Sequence, residues 1–366
     1  MRSHLQYVVV AATMLAALAA VLPIAAAIVT GRGGGAVART AFATAPSGNY
    51  AVVSRPERDF DVIAVVPSGG GEPVEVARVS HLPGFTSTGA VSADGRRLAV
   101  ITADAGSLTR PRASLLVVEL ETGSVRSLAA DVDPLQTPVW SPGGRSVVAA
   151  RVIEDGDAQP TVRFLTVPVD GSGASTLYDV RGALGAWAVG FEPDGGLIGV
   201  TINGTGSHLT RDGAYLFRFS GEITRDWRLS PDGGQLAYIE TNLDSGLRYV
   251  GGTVSLKGGA ARAVEALSEP GARHLGVAWR PGADAATFGR LPAEASGSSE
   301  VGRVERLTSA GFDVPLDYSK DGAALAVERW SGTSFANPGE SSLEIVTESG
   351  RFEVGAQSRF LGWTAR

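Results

Sequence analysis

Four aspartates, Asp94, Asp194, Asp232 and Asp321, each stand directly before a glycine in similar short segments, and they are the first residues to test for chemistry. Carboxylates can act as general acid and base or ligate a hard cation. Before a glycine in a tight turn, however, an aspartate bonds to the amides of its own turn. These four are therefore expected to build turns. His4, His81, His208 and His274 are scattered, with no H-x-H or H-x-x-H pair, and the chain has no cysteine. A histidine-rich metal centre, a thiolate nucleophile and disulfides are not expected. The acidic stretches 131–134 and 154–160 lack the calcium-loop pattern. The glycine-rich stretches 68–73 and 204–209 do not continue into a helix with a following lysine, as a phosphate loop requires. No G-x-S-x-G occurs. The arginine-containing loops 54–59 and 108–114 read as solvated surface. No catalytic, cofactor-binding or metal-binding residue is assigned, and the binding residues are not legible.

A formal charge of −6 argues against nucleic acid as a partner, because phosphates need a basic face. Of the 32 basic residues, only Lys257 and Lys320 are lysines. Trp140, Trp187, Trp227, Trp279 and Trp363 recur in or just before the apolar strand that enters a turn. Packing in the core is the expectation for them, with stacking on a sugar in a central channel as the sharper reading.

The elements that must position these residues come from a repeat. The segments "TAPSGNYAVV" (44–53), "VSADGRRLAV" (91–100), "WSPGGRSVVA" (140–149), "FEPDGGLIGV" (191–200), "LSPDGGQLAY" (229–238), "WRPGADAATF" (279–288) and "YSKDGAALAV" (318–327) share one shape. Their glycines, from Gly48 to Gly322, lie 47, 49, 51, 38, 49 and 40 residues apart, the size of a four-stranded blade. Each copy reads as the end of one strand, a tight turn and the start of the next. The intervals supply further strand–turn–strand patterns at 61–79, 114–128, 161–180 and 341–355, and in shortened form at 214–224. "RFLGWTAR" (359–366) reads as a strand with no turn after it, which closes the ring by completing the first blade begun at residues 50–79. The expected fold is an all-β propeller of seven four-stranded blades. Six or eight stay open because the intervals after Gly195 and Gly282 are short.

The repeat resembles the WD40-like repeat of TolB-like β-propellers, whose motif is close to S-P-D-G followed by an apolar strand. The resemblance covers roughly residues 38–366 and implies the fold, not a function. TolB proteins carry an α/β domain ahead of the propeller, and few residues separate the apolar N-terminal run from the first strand here. Peptidases of the prolyl oligopeptidase type join a similar propeller to an α/β-hydrolase domain, for which this sequence shows no motif.

Residues 7–30 form an uncharged apolar run of 24 residues, about 36 Å as a helix and long enough to cross a bilayer. The expected organisation is a tail (1–6), a signal-anchor helix (7–30), a glycine-rich linker (31–37) and the propeller (38–366). The alternative is a secreted protein cleaved near Ala38. The short tail favours a propeller on the extracytoplasmic side. The functional expectation is a non-catalytic, membrane-tethered scaffold for an envelope protein or ligand. The alternative is an enzyme of glycoside hydrolase or lyase type with its site in the channel. No cofactor is expected.

Overall fold

Serine, aspartate and glycine do what their chemistry dictates in the three repeat turns that carry all of them, at 92–95, 230–233 and 319–322. The computed structural model describes residues 42–154, 160–221, 223–242, 248–257, 262–266, 273–291, 299–301, 304–307, 311–332 and 337–366. In the second copy, Ser92 Oγ donates to Asp94 Oδ1 at 2.5 Å, and the same oxygen accepts the Arg96 amide at 3.0 Å. Ser92 Oγ in turn accepts the Arg97 amide at 3.0 Å. Ser230 with Asp232 and Ser319 with Asp321 repeat the three bonds within 0.1–0.2 Å. The fourth copy has Glu192 in place of serine, and Arg211 clamps Glu192 and Asp194 at 2.6 and 2.5 Å. Glycine is required for a second reason besides its left-handed φ of 65° at Gly233. A Cβ there would lie 2.6 Å from Pro193 Cδ of the preceding turn. Here the fourth and fifth turns are stacked too closely for a side chain.

After a 3-10 turn at Phe42–Thr44, the described residues form 28 strands in seven four-stranded antiparallel sheets. The first blade holds β1 (Asn49–Pro56), β2 (Phe60–Pro67) and β3 (Val74–Ser80). The second holds β4 (Thr88–Val91), β5 (Arg97–Ser107), β6 (Arg110–Glu119) and β7 (Ser124–Val132). The third holds β8 (Val139–Trp140), β9 (Ser146–Ile153), β10 (Thr161–Pro168) and β11 (Ser175–Arg181). The fourth holds β12 (Gly185–Phe191), β13 (Leu197–Asn203), β14 (Gly206–Arg211) and β15 (Ala214–Arg218). The fifth holds β16 (Ile223–Leu229), β17 (Gln235–Asn242), β18 (Arg248–Ser255) and β19 (Arg262–Ala266). The sixth holds β20 (Arg273–Ala278), β21 (Thr287–Leu291), β22 (Ser299–Val301) and β23 (Val304–Leu307). The seventh holds β24 (Phe312–Tyr318), β25 (Ala324–Trp330), β26 (Ser341–Thr347) and β27 (Gly350–Ala356). Last, β28 (Arg359–Ala365) pairs with β1 as the inner strand of the first blade.

The inner strands touch in one cycle, β4 to β8, β12, β16, β20, β24, β28 and back to β4, which closes the propeller around an axis. Each buried cluster joins two neighbouring blades: Val52 and Ile63 pack with Leu98 and Val118, and Ile239 packs with Val277 and Trp279. Both faces of every sheet are therefore covered. This explains why β1 reads as the unbroken apolar run "YAVV" while the outer β11 is almost wholly exposed.

Three tryptophans tie the seams. Trp140 Nε1 donates to Ala90 O at 2.8 Å, Trp279 Nε1 to Arg228 O at 2.9 Å and Trp363 Nε1 to Asp317 O at 3.1 Å. In each pair the indole reaches the inner strand of the preceding blade. Trp187 and Trp227 instead pack on each other, ring centroids 5.4 Å apart. Trp140, Trp227, Trp279 and Trp363 each join a buried cluster, while Trp187 is half-buried against Trp227.

Two sequence expectations need correction. Residues 214–224 are not a hairpin: Ala214–Arg218 is the outer strand of the fourth blade, and Ile223 begins the fifth. The turn lies earlier, at Asp212 and Gly213, with φ of 50° and 82°, the pair of positive angles that favours a two-residue hairpin. A second tight turn at 204–205 completes a blade within the short interval. The first repeat copy is also not a strand–turn–strand unit, because a 3-10 turn precedes it. Its missing strand is β28, and Gly48 and Arg366 exchange backbone hydrogen bonds at 2.9 and 3.0 Å.

Residues 1–38 are a separate unit from 39–366. The expected tail (1–6), span (7–30), linker (31–37) and cleavage point near Ala38 lie outside the described residues. Among those described, no helix is long and apolar enough to cross a membrane.

Candidate functional site at the loop face

Antiparallel order fixes two faces. The repeat turns and the turns joining the third to the fourth strand of each blade lie on one, the turn face. Connections from second to third strands, and from blade to blade, lie on the other, the loop face. On the turn face the four candidate aspartates are held by their own turns. Ser230, the Gly234 amide and Lys257 together pull Asp232 down to about 2. Lys257 Nζ sits 3.2 Å from it, and Lys320 Nζ donates to Ala93 O at 2.6 Å. These carboxylates build structure and are not poised for proton transfer near neutrality.

One serine–histidine–aspartate group arises where sequence reasoning saw none, between the first and second blades. Asp61 and His81 are fully buried, with His81 Nε2 3.5 Å from Asp61 Oδ1. Asp61 Oδ2 accepts the Ser87 amide at 2.7 Å. His81 Nδ1 lies 2.9 Å from Leu82 O, which can only accept, so Nδ1 carries a proton and Nε2 faces the carboxylate. No ring nitrogen remains to activate a serine. The group is a buried polar seam, not a nucleophilic triad. His274 Nδ1 accepts the Gly251 amide at 3.1 Å, and burial lowers its pKa. His208 contacts Thr205 Oγ1 at 2.9 Å and the Tyr215 ring at 4.6 Å, beside a shallow hollow at the outer edge of the fourth blade. Among the described residues, no group of three or more His, Asp or Glu side chains could hold a metal ion.

Charge collects on one side of the axis. Inner strand β16 contributes Arg225, Asp226 and Arg228, and β24 contributes Asp317. Asp226, at a φ of 55°, turns its carboxylate to the Gly276 amide at 3.2 Å, with Arg225 Nη1 at 3.3 Å. Arg225 also stacks on the Tyr249 ring, 4.7 Å from its centroid. Asp317 borders the axis with part of its surface accessible. Protein nevertheless encloses it, and desolvation pushes it up to about 6 against the pull of Arg228 and the Tyr318 amide.

That shift has a testable sign. A carboxyl whose folded value is raised favours the native state while protonated, so it costs stability as pH rises from about 4, the unfolded value, to 6. Asp317→Asn is expected to raise Tm at pH 8 and leave it near wild type at pH 4, read from thermal melts. A lower Tm at pH 8 would show that the charge is well compensated by Arg228.

Beside this sector a cavity of about 270 Å3 opens between the seventh blade and β28. Leu316, Leu343 and Phe360 give it apolar walls, and Glu328, Ser341, Ser358 and Arg359 supply polar groups. Glu328 is pushed above its ordinary value chiefly by burial, with the Asp226 charge adding to it. Hydrogen bonds from Ser341 and Trp330 and the Arg359 charge oppose the rise. Ser358 Oγ is buried without a hydrogen-bond partner. The neighbouring Gln357, also in the wall, holds a φ of 63°, which is unusual for a long side chain. On the opposite side of the loop face, Leu108, Leu135 and Leu184 are exposed by 70%, 69% and 51%.

None of Asp317, Glu328, Ser358 or Arg359 stood out in the sequence. The one available signal was a charge inside an apolar repeat strand, as in "PLDYSKDG" and "AVERW". Stretches 54–59, 68–73, 108–114 and 204–209 fall in or beside hairpin turns. In 131–134, Asp133 Oδ1 caps the Leu135 amide at 3.0 Å. Most of 154–160 lies outside the described residues.

No family model and no curated protein matches the chain. Solved structures match it through the fold. TolB from Acinetobacter baumannii superposes with a TM-score of 0.51 at 15% identity, covering 87% of this chain and 67% of that one. A periplasmic gluconolactonase from Pseudomonas aeruginosa gives 0.56 at 16% identity, with 86% and 99% covered. A prolyl endopeptidase gives 0.55 at 14% identity, and this chain spans about half its length. The class defined is therefore an all-β propeller similar in structure to TolB, lactonase and prolyl endopeptidase propellers.

Proposed function

We propose that the protein is a membrane-tethered, extracytoplasmic propeller that binds a ligand or envelope partner through its loop face. One observation carries this reading: the loop face gathers Arg225, Asp226, Glu328 and Arg359 around the axis and a cavity, whereas the turn-face aspartates are satisfied locally. A rigid ring that presents variable loops suits recognition. The tether is assigned to residues 7–30, with release by cleavage near Ala38 as the other arrangement.

The expected result is a photocrosslinked adduct from a probe at Gln357, on the loop face, and none from a probe at Lys257, on the turn face, in native membranes. Adducts from Lys257 alone would overturn the assignment.

A second reading is an enzyme of glycoside hydrolase or lyase type. Its support is Glu328, a carboxyl raised by burial and coupled to a second carboxylate, Asp226; such pairs are how acid and base roles separate.

A further inference from the structure

The cavity beside β28 has a composition that narrows its ligand. Its one cationic side chain is Arg359, exposed at the rim. A guanidinium takes a carboxylate through two parallel hydrogen bonds. The remaining polar groups include Glu328, the Gln357 amide and the hydroxyls of Ser341 and Ser342. Ser341 stands beside Glu328 and bonds to it. The apolar wall of Leu316, Leu343 and Phe360 can cover the C–H face of a ring or short carbon chain. At about 270 Å3 the cavity is below the usual range for drug-sized ligands, so it fits a single small molecule.

We propose that this cavity binds a small polyhydroxylated carboxylic acid, its carboxylate on Arg359 and its hydroxyls on Ser341 and Glu328. The assignment rests on the loop face being the binding face, and it adds the ligand class. Glu328 makes the choice of an anion consistent. Burial and Asp226 favour its neutral form, which can donate to a ligand oxygen and does not repel a carboxylate. The charged groups that bear on it are Arg359, from β28, and Asp226, from β16. Binding of the anion therefore favours the protonated acid. Affinity is highest below the folded pKa of Glu328 and falls as pH rises through it.

The test uses the full chain in detergent, titrated with glucuronate, glucose and acetate by calorimetry. Glucuronate is expected to bind at least about tenfold more tightly than either of the others at about pH 5, and to weaken toward about pH 8. Arg359→Gln is expected to remove the advantage of glucuronate over glucose, with a thermal melt confirming the fold. Arg359→Lys keeps the charge without the fork and should recover only part of it. Glu328→Gln should keep glucuronate affinity and flatten its pH dependence. Glucose binding as tightly as glucuronate, or an unchanged pH profile in Glu328→Gln, would overturn the ligand class. If those titrations fail while the Gln357 crosslink persists, the loop-face reading stands and the acidic ligand does not; loss of both removes the reading itself.

Discussion

Truncation after Ser358, which removes β28, is expected to abolish the cooperative thermal transition. This strand supplies the inner edge of the first blade and completes two seams. Leu361 packs with Val52, Leu98 and Val100 on one side, and Trp363 packs with Ala326 and Ile345 on the other. Trp363 Nε1 reaches Asp317 O in the seventh blade, and Thr364 Oγ1 donates to Gly95 O in the second at 2.5 Å. Losing one buried leucine and one buried tryptophan costs about 2–5 and 3–5 kcal/mol. That sum already reaches the 5–15 kcal/mol of stability typical of a domain, before the unpaired edge of β1 is counted. Differential scanning calorimetry should show no sharp peak. Dye binding should report newly exposed apolar surface. A truncated chain that melts sharply at the wild-type Tm would mean that the ring does not depend on this closure.

Trp279→Ala is the second large effect, an expected loss of about 3–5 kcal/mol in urea denaturation. Trp279 is 4% exposed and packs with Ala237, Ile239, Val277 and Phe288 between the fifth and sixth blades. Trp279→Phe separates the two contributions. It retains most of the apolar volume but removes the donor to Arg228 O, for an expected cost of about 1–3 kcal/mol. If the alanine variant lost less than about 1 kcal/mol, the indole would not be a seam element.

The propeller was legible because its signal is local and repeated. The three bonds joining Ser230, Asp232 and the following amides depend on residues within five positions of one another. Any sequence that repeats those types at blade spacing announces the turn. Ring closure was legible for the opposite reason: "RFLGWTAR" is a strand with no turn after it, left over once every other strand has a hairpin partner. The fourth blade misled because its outer hairpin turns on Asp212 and Gly213, a pair hidden behind the more prominent "SGE" at 220–222.

The candidate site was not legible, because its parts come from strands that meet only around the axis. Asp226 and Glu328 are 102 positions apart in the sequence, yet one charge shifts the other's titration. Arg359 and Ser358 join the cavity through the blade-to-blade connection at the closing strand, a placement no local pattern specifies. Asp61 and His81 illustrate the same limit at shorter range. Their approach to 3.5 Å depends on the fold of the first blade.

The lysines, unlike the arginines, are confined to one side of the disc. Both lysines belong to turns on one side of the disc, Lys257 against Asp232 and Lys320 against Ala93 O, while the opposite side relies on guanidinium groups such as Arg225 and Arg359. Amine acylation within the folded ring is thereby confined to one surface. An immobilised or dye-labelled protein prepared through its ε-amines would keep the other surface unmodified and free to meet solutes.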